Sequence, residues 1–80
     1  GEATLVVSGL ERAPSGKTYE IWVIKGETPR PAGLFDDAER RTAVALTRPV
    51  SGGDVVAVTL EVAGGVQAPT GRLLFTAETA

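Results

Sequence analysis

The apolar positions of this chain fall into short runs separated by glycine, proline and charged residues. The run with most character is Thr18 to Lys25, Thr-Tyr-Glu-Ile-Trp-Val-Ile-Lys. In an extended chain Tyr19, Ile21 and Val23 share one face, with Trp22 and Ile24 on the other. A half-buried strand alternates apolar with polar, so this run predicts a strand covered on both sides, central to the domain. Its β-branched and aromatic residues suit a pleated surface. Asp54 to Val62 is predicted to be the longest strand. It sets Val56, Val58, Leu60 and Val62 on one face, and Val55, Ala57, Thr59 and Glu61 on the other, which becomes more polar toward its end. Residues 3–8 and 41–47 read as further strands, the second with Thr42, Val44 and Leu46 on one face. Residues 32–35 read as a short extended piece with Phe35 buried, and Arg72 to Ala77 as a last strand.

Between these runs lie turn signals. Pro14 and Gly16 suit a turn. Gly26 to Pro31 reads as a loop, because Pro29 and Pro31 cannot donate to a ladder and hold the preceding residues extended. Leu10 is expected to plug the core under a loop, Asp36 to Arg40 to form a polar turn, and residues 49–53 a loop. Residues 54–77 together look like a hairpin with a long connection through Ala63-Gly64-Gly65 and Pro69. That connection and the 26–31 loop are the preferred places for contact with another molecule. The tail from Glu78 to Ala80 is expected to fray. No window carries a sustained helical period with caps. Many short strands with regular turns indicate an all-β domain, a small antiparallel sandwich of about six to seven strands.

Composition narrows the chemistry. Eighty residues make a single domain, residues 1–80, with a limited core. With no Cys there is no disulfide, and with no His either there is neither the commonest general base nor an ordinary zinc or haem ligand. A net charge of −2 gives no basic face for nucleic acid, and Arg30, Arg40, Arg41 and Arg48 read as solvated turn charges. No apolar run approaches the roughly 18 residues of a membrane span, and no signal peptide is evident.

Four features invite a functional reading, and each has a plainer one. Asp36, Asp37 and Glu39 offer oxygen ligands for calcium, but lack the spacing of a calcium loop and read as a solvated turn. Gly64, Gly65 and Gly71 might cradle a phosphate, but they join two strands with no lysine in register, and read as glycines permitting positive φ. Trp22 could stack a sugar or a base if exposed; its neighbours make it a core residue. Tyr19 reads as a buried ring with its hydroxyl tied to backbone. No catalytic, cofactor-binding or metal-binding residue is assigned, no cofactor is expected, and the domain is expected not to be an enzyme.

Read in order, Tyr19-Glu-Ile-Trp22-Val-Ile24, Ala32-Gly-Leu-Phe35, Val56 to Glu61, Ala63-Gly-Gly65 and Ala68-Pro-Thr-Gly71 resemble the C-terminal domain of anti-sigma-K factors of the RskA type. The lead-in from Leu10 to Thr18 is similar too, so the likeness spans roughly residues 5–75. The resemblance implies an immunoglobulin-like sandwich on the extracytoplasmic side of the cell membrane, in a single-pass protein. A cytoplasmic segment outside this chain would bind an extracytoplasmic-function sigma factor, and regulated proteolysis would release it. Tethering would come from a membrane helix also outside this chain, and the outer domain would meet an unknown signal or protein. Family domains have more sequence ahead of the first strand. The sandwich is therefore expected to lack N-terminal strand(s) or to have them completed by another chain, and an open strand edge would allow a homodimer. Arg72 departs from the family, which commonly has Pro there, and this bears on how the chain enters its last strand. The motif residues read as determinants of fold: Tyr19, Trp22 and Phe35 in the core, and Gly33, Gly64, Gly65, Pro69 and Gly71 in turns. The alternative reading is an immunoglobulin-like adhesion module, or one that binds carbohydrate or protein.

Overall fold

A computed structural model describes residues 3–78, all strand, turn and irregular chain. The strands are β1 (Thr4–Val7), β2 (Lys17–Lys25), β3 (Thr28–Phe35), β4 (Thr42–Ala45), β5 (Val55–Val62) and β6 (Leu73–Glu78). They form two antiparallel sheets, one of order β1-β4 and one of order β3-β2-β5-β6. The all-β expectation is met with six strands. β2 is an interior strand of the larger sheet and every side chain from Thr18 to Val23 is buried, as a run apolar on both faces demands.

The register fixes the two faces of this sheet. Tyr19 lies opposite Leu60, Ile21 opposite Val58 and Val23 opposite Val56. These residues and Ala32 form the core, against which Leu5 of β1 and Val44 of β4 pack from the smaller sheet. We call this the inner face. Full burial of an Ile or Val side chain contributes roughly 1.5–3 kcal/mol, so the wholly buried Ile21, Val23 and Val58 are a large part of what holds the sheets together. Tyr19 stacks on Phe35 with centroids 5.1 Å apart and donates its hydroxyl to the Glu11 carbonyl at 2.6 Å. Phe35 is half-buried, and Leu10 packs against the core as expected. An isolated bridge joins Leu10 to Ala38.

The expected 26–31 loop is instead part of β3. A two-residue turn joins Lys25 to Thr28, with Gly26 at its first central position at φ 62°, as a type II′ hairpin requires. Pro29 and Pro31 are tolerated because β3 is an edge strand. The Pro31 carbonyl accepts from Arg48 Nε at 2.7 Å. Arg48 is therefore half-buried and engaged, whereas Arg30, Arg40 and Arg41 are exposed. The register shifts by one at Ala32, a bulge that leaves Gly33 opposite Ile21 and Pro31 opposite Trp22.

The last strand runs one residue beyond its expected end. Glu78 pairs with Val55 instead of fraying, while Thr79 and Ala80 lie outside the described residues.

Candidate functional site

The outer face of the larger sheet carries Thr18, Glu20 and Trp22 from β2, and Ala57, Thr59 and Glu61 from β5. Glu20 lies opposite Thr59 and Trp22 opposite Ala57. Two glutamates and two threonines buried beside a tryptophan are not ordinary core composition. A buried carboxylate is costly unless hydrogen bonds replace its water.

Those bonds come from the chain itself. The connection from β5 to β6, residues 63–72, folds back across this face. It turns at Gly64 and Gly65, with φ of 94° and 81°, which bears out the positive-φ reading for these two; Gly71, read the same way, does not have positive φ. Gly65 N–H donates to the Val62 carbonyl at 2.9 Å. Val66 N–H then donates to Glu20 Oε1 at 2.8 Å. Farther along, the Glu61 carboxylate receives Thr70 N–H (3.1 Å to Oε2), Thr70 Oγ1 (2.5 Å to Oε1) and Gly71 N–H (3.1 Å). Its fourth donor is Thr59 Oγ1 at 2.6 Å, and that hydroxyl itself accepts from Trp22 Nε1 at 2.9 Å. A relay thus runs from the indole through Thr59 and Glu61 to the backbone of the connection. Trp22 and Glu61 are left with 0% and 1% of their surface exposed.

The close approach at residues 70 and 71 depends on glycine. A Cβ on Gly71 would collide with the Leu60 carbonyl. At Gly65 it would press on Leu34 and on both oxygens of Glu20. These positions are glycine because the connection lies directly on the sheet.

The two carboxyls have opposite electrostatics. Burial raises the pKa of Glu20; the Val66 N–H partly offsets this and the charge of Glu61 adds to it. Burial pushes Glu61 upward as well, but bonds from Thr59, Thr70 and Gly71 outweigh it and hold that carboxyl below its ordinary value. A carboxylate ringed by hydrogen-bond donors stays ionised without a cationic partner.

Several positions singled out from the sequence lie elsewhere. Asp37 pairs with Arg12 at 3.2 Å on the surface, and Asp36 is exposed near the Thr18 hydroxyl, which donates to the Phe35 carbonyl at 3.1 Å. Among the described residues no three acidic side chains converge as a metal site. Asp54, expected to begin a strand, precedes β5 and accepts from Lys25 Nζ at 2.7 Å and Ser51 N at 2.8 Å. The Lys25 bond and then the Ser51 bond hold its carboxyl below the usual range. Sequence reasoning missed Glu20 and the role of Glu61. The available signal was a charge inside a run apolar on both faces, where a solvated side chain has nowhere to go.

Residues 1–73 match the family model described as anti-sigma-K factor rskA, C-terminal. A Streptomyces griseus protein, described as an uncharacterized protein in the phr 5' region, is 41% identical over 68 residues, 85% of this chain and 29% of that protein. The chain thus spans under a third of the length of that relative. No solved structure matches. With the family model covering nearly the whole chain, this all-β domain belongs to the C-terminal domain family of the RskA anti-sigma-K factors.

Proposed function

We propose that this domain is the non-catalytic, regulatory outer part of a membrane-anchored anti-sigma factor. A cytoplasmic segment of the whole protein holds an extracytoplasmic-function sigma factor inactive. The present domain lies on the extracytoplasmic side and governs when proteolysis near the membrane releases that factor. The observation that carries this reading is the family match over residues 1–73. The relative from Streptomyces griseus supports it, since most of that longer protein lies outside the matched region, with room for membrane and cytoplasmic segments.

A non-enzymatic role accords with the chemistry of the site. The chain has no His or Cys, and its two buried glutamates accept bonds from the β5–β6 connection. A folded sandwich of this kind acts by bulk and by binding, shielding a cleavage site or meeting a signal. The carbohydrate-binding alternative calls for an exposed aromatic or a cation site, and Trp22 has no exposed surface to offer a sugar.

The test is an in-frame deletion of residues 3–78 from the full-length protein in its host. The remainder is followed by immunoblot, and sigma-dependent transcription is measured with and without induction. A change in basal or induced output is expected. Unchanged output in both conditions, with the remainder present at its normal level, would contradict the reading.

A further inference from the structure

The outer face is closed by the chain's own connection, and this closure is built differently from the rest of the fold. We propose that residues 64–71 form a clasp, locked by the Glu61 carboxylate, that can open to uncover Trp22 while both sheets stay paired. This proposal does not depend on the anti-sigma reading.

Three observations carry it. The connection is held to the sheet by side-chain acceptors on two strands: Val66 N–H by Glu20, and Thr70 and Gly71 by Glu61. The sheet's own ladder, β3-β2-β5-β6, uses none of these bonds. The segment from Gly64 to Gly71 therefore has its own set of attachments, and a unit with its own attachments can open below the cost of global unfolding.

Secondly, Glu61 is the point on which the attachments converge. It takes four donors, two backbone N–H groups and two hydroxyls. A neutral carboxyl must donate a proton where the charged form only accepts. The two N–H groups cannot reverse, so neutralising Glu61 removes the charge-assisted character of every bond at this point.

Thirdly, the lock is joined to an indole, since Trp22 Nε1 donates to the Thr59 hydroxyl and that hydroxyl donates to Glu61. Trp22 is wholly buried on the sheet face opposite the second sheet, and the connection is the segment that hydrogen bonds bring to that face. It is the only Trp in the chain, so its emission reports this face alone.

The surroundings make the lock responsive to acid. From β2, Glu20 faces it and is like-charged. β5 contributes the uncharged Thr59, and the connection contributes one charge, the exposed Arg72 that follows Gly71. On the flanking strands the residues in register are Leu34 and Leu73. Among the described residues no Lys or Arg pairs with either glutamate. No cation replaces the hydrogen bonds when the carboxylate is lost.

The experiment compares the wild-type domain with Glu61→Gln and the milder Thr70→Val by acrylamide quenching of Trp22 and by NMR amide exchange. In Glu61→Gln, exchange at Val66, Thr70 and Gly71 should rise on the order of tenfold or more, the scale of losing hydrogen bonds to a charged acceptor. Trp22 quenching should rise with it, and the β2–β5 amides should keep their protection. Thr70→Val should show the same pattern to a smaller degree, and decides the matter if Glu61→Gln does not fold. Wild-type Trp22 should become quenchable on acidification below the ordinary glutamate value of 4.5, before the strand amides are lost. Unchanged connection amides and Trp22 quenching in a folded variant would overturn the proposal. So would strand amides that accelerate in step with the connection in Thr70→Val or in acid.

Discussion

The two faces of one four-stranded sheet are closed by different physics. The inner face meets a second sheet across Tyr19, Ile21, Val23, Val56 and Val58, and is held by apolar burial. The outer face meets ten residues of its own chain, and is held by two carboxylates and a threonine-to-indole relay. Apolar burial is non-directional and insensitive to protonation. A carboxylate network is directional, depends on charge and fails if one member is lost. The same small sheet therefore combines a permanent side with a conditional one.

The largest effect should come from breaking the inner face. Ile21→Ala removes a side chain with no exposed surface and is expected to cost about 2–5 kcal/mol in denaturant unfolding. All probes, Trp22 included, should shift together, because that face belongs to the cooperative core. The next effect concerns the outer face through its backbone. Gly71→Ala places a methyl group against the Leu60 carbonyl, which cannot swing aside like a side chain. A loss of about 1–3 kcal/mol is expected, with the connection amides exposed first. Stability close to wild type would show that the connection does not lie on β5 as described.

Smaller and opposite in sense is Glu20→Gln. The raised pKa of Glu20 means its contribution to stability is full below 4.5 and is lost as pH rises through its folded-state value. Ionised Glu20 thus subtracts from stability at neutral pH. The amide keeps an oxygen for Val66 N–H without the charge, so Glu20→Gln should equal or exceed wild type at pH 7. Glu61 and Asp54 have lowered values. Their contributions are present above 4.5 and 3.8 respectively and are lost as pH falls through the folded-state values. Unfolding midpoints between pH 3 and 7 check both signs. The smallest effect should be Arg12→Ala, which removes an exposed pair with Asp37; a change under about 1 kcal/mol is expected, and a larger one would show that the contrast between faces is not where stability resides.

Much of the inner face was legible in the sequence because it follows a period of two. The alternation in residues 18–25 and 54–62 placed Tyr19, Ile21 and Val23 with Val56, Val58 and Leu60, as the register has them. The prolines misled, since a proline marks a loop or an edge strand equally and only the strand order separates the two. The outer face was half legible. Gly64 and Gly65 were readable as a turn from composition. That Glu20 and Glu61 are buried beneath the connection was less so: Glu20 stands inside a run apolar on both faces, but Glu61, at the end of its run, has the same appearance whether it meets water or the amides of a distant segment. The need for glycine at 71 was equally hidden, arising from a close approach to Leu60 across the β5–β6 connection.

The contrast between the faces is tested most directly by titrating the side-chain carboxyl carbons of Glu20 and Glu61 by NMR. The account predicts Glu61 below the ordinary glutamate value of 4.5 and Glu20 above it. Both carboxyls titrating together near 4.5 would mean they face solvent, and that the outer face is not closed by them.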